Sequence, residues 1–340
     1  MRRALVVLLV APLLAAEEVS REKLEAHVRT LASPEYGGRR GEGARKAEEY
    51  VDRALREAGL KTRVQEFKTA EGEVCRNVIA LLASGERPTR EHVIVSAHYD
   101  HLGRWGGTLF PGAADNAAGV AAMLEIARLL KPPLQRDVLF ISFDQEEVGL
   151  VGSTLYVSSP ERPLEECAAF LTFDILGRDL ADATKGTLFC LGLERSDTLF
   201  AAIGAVGPPE GLELAYVGAD VIGTRSDYGP FRDKKVPFVF FSAGEFRDYH
   251  QPTDTPGRLN FDKLHKETQA ILAATRAVIG APRPKFLDEA ACRVEEPASL
   301  ERVVGQLLEN KEKLALTETE LVMAQMFRAS LKTAAAGAYT

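Results

Sequence analysis

Five side chains of metal-binding type recur along the chain, each where an apolar run ends. They are His98 in SAHYDHLG, Asp115 in PGAADNAAG, Glu147 in FDQEEVGLVGS, Asp174 in LTFDILGR and His250 in DYHQPTDT. Two imidazoles and three carboxylates suit zinc or a similar divalent ion. With one shared carboxylate, they suffice for two ions about 3.5–4 Å apart. A further carboxylate, Glu146, directly precedes a candidate ligand, and the whole set points to hydrolysis.

Short apolar runs alternate with helical patterns over most of the chain. Runs rich in β-branched or aromatic residues predict strands at Arg76–Leu82, His92–Ala97, Asp137–Phe143, Ala168–Phe173, Thr187–Leu191 and Val236–Ser242. Helical spacing predicts helices within residues 20–60 and at Asn116–Leu130, Val148–Val157 and Asp262–Ile279. Continuous apolar strands are typical of a sheet buried on both faces. We therefore predict an α/β fold of three layers, helix–sheet–helix, with a mostly parallel central sheet.

This architecture explains how ligands that are scattered in sequence could meet. His98, Glu147 and Asp174 each fall just past a predicted strand, and Asp115 falls at the start of a predicted helix. Ligands of such sheets bind outside the carboxyl ends of the strands. We expect the candidate ligands to converge at that edge.

The character of the chain changes after Pro282-Arg283-Pro284. Two helical stretches, Leu300–Leu314 and Thr317–Leu331, carry apolar faces and precede an alanine-rich tail. We predict a catalytic domain at residues 17–282 and a C-terminal helical hairpin within an extension at residues 283–340. The hairpin is expected to pack on the main domain or to join subunits in an oligomer.

Composition and the N-terminus bear on location and on partners. The net charge is −7 without a basic block, which argues against nucleic-acid binding. Arg2 and Arg3 precede the apolar run Ala4–Leu14 and the small residues Ala15-Ala16, as in an export signal. We predict a signal peptide at residues 1–16, no membrane span in the mature chain, and a periplasmic or extracellular location; a buried N-terminal helix is the alternative. Export permits disulfides among the four cysteines but does not choose between three pairings.

The stretch from His98 to His250 resembles the M28 family of zinc exopeptidases. The matching pieces are HYDHLG, PGAADNAAG, EEVGLVGS, FDILG, SDYGPF and YHQPTDT. The resemblance implies the zinc exopeptidase fold and two Zn²⁺ per chain. It implies that Asp115 bridges both ions, that His98 and Asp174 complete one site, and that Glu147 and His250 complete the other. It also implies Glu146 as the general base towards a water that the metals activate.

Roles are also predicted for other residues in or near these motifs. The resemblance implies that Asp100 orients the imidazole of His98, and that a cis peptide bond follows Asp115. Tyr228 stands where the family commonly has histidine, and its phenol either helps to hold the oxyanion or merely packs. His101 is expected to lie near the site without binding metal. Trp105 and Phe110, in the loop between two ligands, are candidates for an apolar substrate pocket.

The function predicted from these residues is a secreted aminopeptidase that acts on peptides with a free N-terminus. A carboxypeptidase or dipeptidase on the same scaffold is an alternative, and so is glutaminyl cyclisation with one zinc. A binding protein that has lost catalysis is disfavoured because no candidate ligand is missing. A serine or cysteine hydrolase is disfavoured too, since the chain has no GxSxG motif.

Overall fold

The fold is taken from a computed structural model, which describes residues 18–69, 72–85 and 89–336. The predicted signal peptide at residues 1–16 therefore lies outside the described residues. Within the described ranges, every helix is too short or too polar to span a bilayer.

An eight-stranded sheet forms the centre of the molecule, in the order β1-β2-β6-β3-β7-β10-β8-β9. Its strands and those of a small hairpin (β4 and β5) are β1 Lys61–Lys68, β2 Val74–Leu82, β3 His92–His98, β4 Gly103–Trp105, β5 Thr108–Phe110, β6 Asp137–Phe143, β7 Cys167–Phe173, β8 Thr187–Leu191, β9 Glu213–Val217 and β10 Phe238–Ser242. Four neighbouring strands, β6, β3, β7 and β10, run parallel. Antiparallel pairs join β1 to β2, β2 to β6 and β10 to β8.

Helices cover both faces of this sheet. The α-helices of the described residues are α1 Arg21–Leu31, α2 Glu42–Glu57, α3 Ala118–Leu129, α4 Val151–Ser158, α5 Asp197–Gly204, α6 Tyr228–Asp233, α7 Phe261–Gly280, α8 Glu295–Glu309 and α9 Glu318–Ala335. One apolar core joins the sheet to α1, α2, α3, α5 and α7. A second core lies on the opposite face and joins the sheet to α4, α6 and α8. The predicted three-layer fold with a mostly parallel sheet is confirmed.

The predicted strands match the observed ones closely because their apolar runs are buried on both faces. Every residue of β3 and β7 is buried, as continuous apolar strands between two helix layers require. Within the central sheet, strands β1 and β9 were not predicted from the sequence. Both lie at the edges of the sheet, and polar residues alternate along β1. An edge strand is held by pairing to its neighbour, so its own sequence needs less apolar content.

Helix α8 lies further towards the N-terminus than Leu300–Leu314, so this prediction was wrong by five residues at each end. Pro297 falls in its first turn, where the N–H that proline lacks has no partner within the helix. Arg328 of α9 donates to Glu301 of α8 at 2.7 Å, which ties the two helices together. Helix α8 packs on β9.

The four cysteines form no disulfide in the described part of the chain. Cys75, Cys167 and Cys190 are buried free thiols, and Cys292 is an exposed one.

Candidate metal centre

Three of the candidate ligands lie side by side at one edge of the sheet. His98 is the last residue of β3, Asp174 directly follows β7, and Glu147 lies four residues past β6. The strands are parallel and in register there, since His98 pairs with Phe143 at the end of β6. The carboxyl ends of neighbouring strands thus bring these ligands together, as the sequence predicted.

The remaining two ligands come from loops. Asp115 lies in a tight turn at Ala113–Ala117, directly before α3, and is buried. His250 follows β10 and is about one-third exposed at its side chain (34%). The structure therefore brings all five candidate ligands to one place.

The two oxygens of Asp115 face different imidazoles. Nε2 of His98 lies 3.5 Å from Asp115 Oδ1 and 3.3 Å from Asp174 Oδ1. Nε2 of His250 lies 3.0 Å from Asp115 Oδ2 and 3.0 Å from Glu147 Oε2. The ligands thus form two sets of three that share Asp115.

Both sets fit a small divalent cation. Nε2 of His98, Nε2 of His250 and Oδ1 of Asp174 are buried and make no hydrogen bond to any described residue. Two ligands that each lie about 2.1 Å from a tetrahedral ion are about 3.4 Å apart, which agrees with the separations above. The nitrogen and oxygen donors also match the preference of zinc and related ions. A cation at each set would satisfy buried polar atoms that make no hydrogen bond to the described residues.

The electrostatics of the centre favour positive charge. Burial opposes protonation of His98, but the charges of Glu146 and Asp174 raise the pKa of its imidazole well above the usual value. Burial likewise opposes protonation of His250, but the nearby carboxylates of Asp115 and Glu147 raise its pKa to about 10. Burial and the charge of Glu147 raise the pKa of Asp115 to about 6. Buried carboxylates that crowd together in this way are stabilised by protons or by metal ions.

Asp100 connects the ligand strands to Glu146. Its Oδ1 lies 3.4 Å from Nδ1 of His98 and accepts the backbone N–H of Glu146 at 3.0 Å. Its Oδ2 accepts the backbone N–H of Glu147 at 3.3 Å. One carboxylate thus touches the end of β3 and the loop after β6.

Glu146 is placed beside the ligands without belonging to either set of three. Its carboxylate lies close to the imidazole of His98 and to the carboxylate of Asp174, within one potential ligand cluster. Burial raises the pKa of Glu146 well above its usual value, so its carboxyl group binds a proton more readily than a solvated glutamate does. A carboxylate with these properties is suited to exchanging protons with a reacting group.

Two buried charged residues hold the turn that carries Asp115. The guanidinium of Arg39 is fully buried and donates to five backbone carbonyls, those of Leu31, Tyr99, Pro111, Gly112 and Asp115. The carboxylate of Asp254 accepts the backbone N–H groups of Ala114 and Asp115 at 3.1–3.2 Å. Sequence reasoning missed both residues. Asp254 lies in the YHQPTDT motif, which is a usable signal, whereas arginine in a glycine-rich loop normally indicates an exposed side chain.

The backbone next to the ligands takes uncommon conformations. Gln145, Ile175 and His250 have φ of +54°, +59° and +55°, although none is glycine. Such left-handed residues are uncommon and persist where the surroundings fix them, which is often at functional sites. The peptide bond between Asp115 and Asn116 is cis, as the family resemblance implied.

His101 enters the centre more directly than the sequence suggested. Its Nδ1 lies 2.6 Å from Glu147 Oε1 and 3.9 Å from Asp115 Oδ1. Burial opposes ionisation of Glu147, but the contacts with His101 and His250 hold its pKa below the usual value. The imidazole of His101 is thus placed to orient the carboxylate of Glu147. Its position three residues after His98, in the same motif, was the available signal.

Tyr228 makes its contacts away from the ligands. Its hydroxyl donates to the carbonyl of Gly223 and accepts the backbone N–H of Arg225. Its ring stacks on Phe238 and lies against Phe240. These contacts favour the packing alternative. From the same motif, Ser226 donates its hydroxyl to Asp174 Oδ2 at 3.2 Å.

Two cavities adjoin the centre. One of about 550 Å³ is lined by Glu147 and His101 and by charged residues that include Arg40, Arg45 and Arg76. The other, of about 480 Å³, includes Asp174 and Tyr249 in its lining. Its wall is mainly apolar and includes Phe189, Leu191, Val217, Phe240, Leu300 and Val303. Trp105 and Phe110 line neither of these cavities, so the apolar pocket is not where the sequence suggested; Trp105 is 62% exposed in the β4–β5 hairpin.

Solved structures with this architecture include metal enzymes. A zinc aminopeptidase from Bacillus subtilis superposes with a TM-score of 0.66 at 15% identity, covering 81% of this chain and 100% of its own. A glutaminyl cyclase from Porphyromonas gingivalis superposes with a TM-score of 0.61 at 19% identity, covering 76% of this chain and 99% of its own. At these identities the likeness establishes the fold alone.

Sequence comparison finds relatives that are named aminopeptidases. Aminopeptidase YwaD of Bacillus subtilis is 27% identical over 245 residues, which cover 68% of this chain and 50% of YwaD. An aminopeptidase of Pseudomonas aeruginosa is 42% identical over 218 residues, covering 54% of this chain and 38% of that protein. The chain thus spans at most about half the length of these two relatives. The model of peptidase family M28 matches residues 77–275, more than half of the chain, and the protein belongs to this family.

Proposed function

We propose that this protein is an aminopeptidase that depends on two zinc ions and removes the N-terminal residue of peptides. The observation that carries the proposal is the position of Asp115, whose two oxygens each face a different imidazole and carboxylate. Two adjacent cation sites that share one carboxylate are typical of two-metal hydrolases. The aminopeptidase names of the relatives support the choice of reaction.

His98, Asp115 and Asp174 would hold one ion, and His250, Asp115 and Glu147 the other. When bound, two zinc ions supply Lewis acidity, which polarises the scissile carbonyl and favours deprotonation of water. The carboxylate of Glu146 takes the proton from the attacking water, and the same carboxyl group then gives it to the leaving amine. The raised pKa of Glu146 suits the second step, because the group holds its proton until the amine accepts it.

The two cavities give the substrate a direction. A free N-terminal amine is a cation, and Asp174 is an acidic residue in the lining of the apolar cavity. An amine held near Asp174 would place the side chain of the same residue among Phe189, Leu191 and Phe240. The rest of the peptide would then leave towards the charged cavity beside Glu147 and His101. This arrangement favours peptides with a free N-terminus and an apolar first residue.

The proposal is tested by counting metals and by assaying matched peptides. The purified protein is expected to bind about two zinc ions per chain and to cleave leucyl peptides with a free amine but not their N-acetylated forms. Cleavage of the acetylated forms from the other end would indicate a carboxypeptidase. Cyclisation of an N-terminal glutamine, with one metal per chain, would indicate the transferase alternative. Either of these results would overturn the proposal.

We also infer that the protein is exported. The support is the sequence of the first 16 residues, in which two arginines precede an apolar run and small residues. N-terminal sequencing of protein from a secreting host is expected to show a mature chain that begins near Glu17. A chain that stays in the cytoplasm and keeps its apolar run would contradict export.

A further inference from the structure

The C-terminal helix α8 is fixed to the edge of the central sheet by its own side chains. Strand β9 forms one edge of the sheet, so within the described residues it pairs with a strand on one side only. Ser299 accepts the backbone N–H of Tyr216 at 3.0 Å, and Glu296 accepts that of Gly218 at 2.7 Å. Ser299 is almost fully buried (1% exposed). Helix α8 thus covers the edge and satisfies backbone groups that would otherwise face solvent.

This attachment brings one face of α8 to the apolar cavity. Val303 is buried within the same core as Phe189, Leu191, Val217 and Phe240. Leu300, one turn earlier, is only partly buried and packs against that core. Both residues line the apolar cavity, as Asp174 does. The wall opposite the sheet is therefore supplied by a segment that follows the residues matched by the family model, which end at residue 275.

The same helix also carries a second leucine that resembles Leu300 in burial but does not line the cavity. Leu307 lies seven residues after Leu300, hence on the same face of α8 two turns further on. It packs against the same core while staying outside the cavity. Leu300 and Leu307 thus share chemistry and burial and differ in access to the cavity.

We propose that α8 limits the size of the substrate's N-terminal side chain, with Leu300 and Val303 as specificity-determining residues. The inference rests on the proposed function, because it takes the apolar cavity as the site of that side chain. A leucine that is only partly buried at the cavity wall presents methyl groups to the occupant. A change of one methylene in such a pocket alters kcat/KM by about 10–200-fold, so truncating or enlarging Leu300 should shift preference measurably.

The test compares zinc-loaded wild type with Leu300→Ala, Leu300→Trp and the control Leu307→Ala on alanyl, leucyl and tryptophanyl p-nitroanilides. Leu300→Ala should raise the kcat/KM ratio of tryptophanyl over leucyl substrate about tenfold or more. Leu300→Trp should lower kcat/KM for the leucyl and tryptophanyl substrates by at least about tenfold relative to the alanyl one. Leu307→Ala should leave both ratios unchanged. If both Leu300 variants change all three substrates by one common factor, the inference is wrong.

A binding measurement separates this inference from the proposed function, and Leu300→Trp tests the inference if Leu300→Ala fails to fold. The dissociation constants of free L-leucine and L-tryptophan are measured by calorimetry on wild type and Leu300→Ala. Their ratio should shift towards tryptophan by about tenfold. A wild-type protein that cleaves no free-amine peptide would refute the proposed function, while this binding ratio would still decide the role of Leu300. An unchanged ratio would overturn that role.

Discussion

The carboxylate of Asp100 accepts a hydrogen bond from the backbone N–H of Glu146, with 3.0 Å between oxygen and nitrogen. The same oxygen lies 3.4 Å from Nδ1 of His98. The loop that carries the candidate general base is therefore held by a carboxylate that also lies next to a candidate ligand. Mutating a residue that orients a metal ligand commonly lowers metal affinity or activity by about 10–100-fold.

Replacing Asp100 by asparagine should weaken both metal binding and turnover by about 10–100-fold. An amide keeps one acceptor but turns a donor towards one of the two N–H groups that the carboxylate accepts. Zinc affinity is measured by competition with a chelator, and turnover is measured at saturating zinc. The exposed Asp233→Asn is the control for loss of one negative charge. Zinc affinity in Asp100→Asn equal to that of the control would contradict the orienting role.

Replacing Glu146 by glutamine should leave metal content nearly unchanged and lower kcat by about 10²–10⁴-fold. Glutamine has the same shape as glutamate but cannot take the proton from water at neutral pH. The measurements are zinc per chain by elemental analysis and kcat on a leucyl substrate. Turnover at the wild-type rate would remove Glu146 from the mechanism, and loss of both metals would instead make it a ligand.

Metal affinity should rise with pH between about pH 6 and pH 8. Without metal, the raised pKa values of His98 and His250 keep both imidazoles protonated near neutrality. Zinc binds neutral imidazole, so binding must release these protons, and affinity falls as pH falls by up to about tenfold per unit for each proton.

Proton release is measured by zinc calorimetry in buffers of different ionisation enthalpy at one pH. About two protons should leave per chain when both sites fill, and about one fewer in His250→Ala. Heats that do not depend on the buffer would show that the two imidazoles are already neutral.

Replacing Arg39 by methionine should lower the free energy of unfolding of the metal-free protein by about 3–5 kcal/mol. The change leaves five buried carbonyls without their donor, and each unsatisfied buried group costs about 1–3 kcal/mol, though not additively. The neighbouring Arg40 is exposed, and Arg40→Met is expected to change stability by less than about 0.5 kcal/mol. Denaturant titrations of the two variants should therefore differ widely, and equal midpoints would contradict the role of Arg39.

The strongest predictions from the sequence concern buried elements. The strand at Asp137–Phe143 was predicted with its observed bounds because an apolar run buried between two helix layers leaves few alternatives. Strand β1 was not predicted, since its residues alternate between solvent and interior and are held by pairing with β2. The predicted position of helix α8 was wrong by five residues. A proline in the first turn of a helix and a proline before a helix give the same sequence signal.

The chain's residue types and their positions at strand ends determined which side chains are available as ligands. Parallel strands end at one edge of the sheet, so the pattern also determined that these residues would approach one another. Only the tertiary structure decided that the two oxygens of Asp115 face opposite imidazoles, and that Arg39 holds the turn beneath them. It also placed the ring of Tyr228 against Phe238 and Phe240, and Leu300 in the lining of the apolar cavity. These outcomes depend on side-chain rotamers and on contacts between distant segments, which the periodicity of a sequence does not encode.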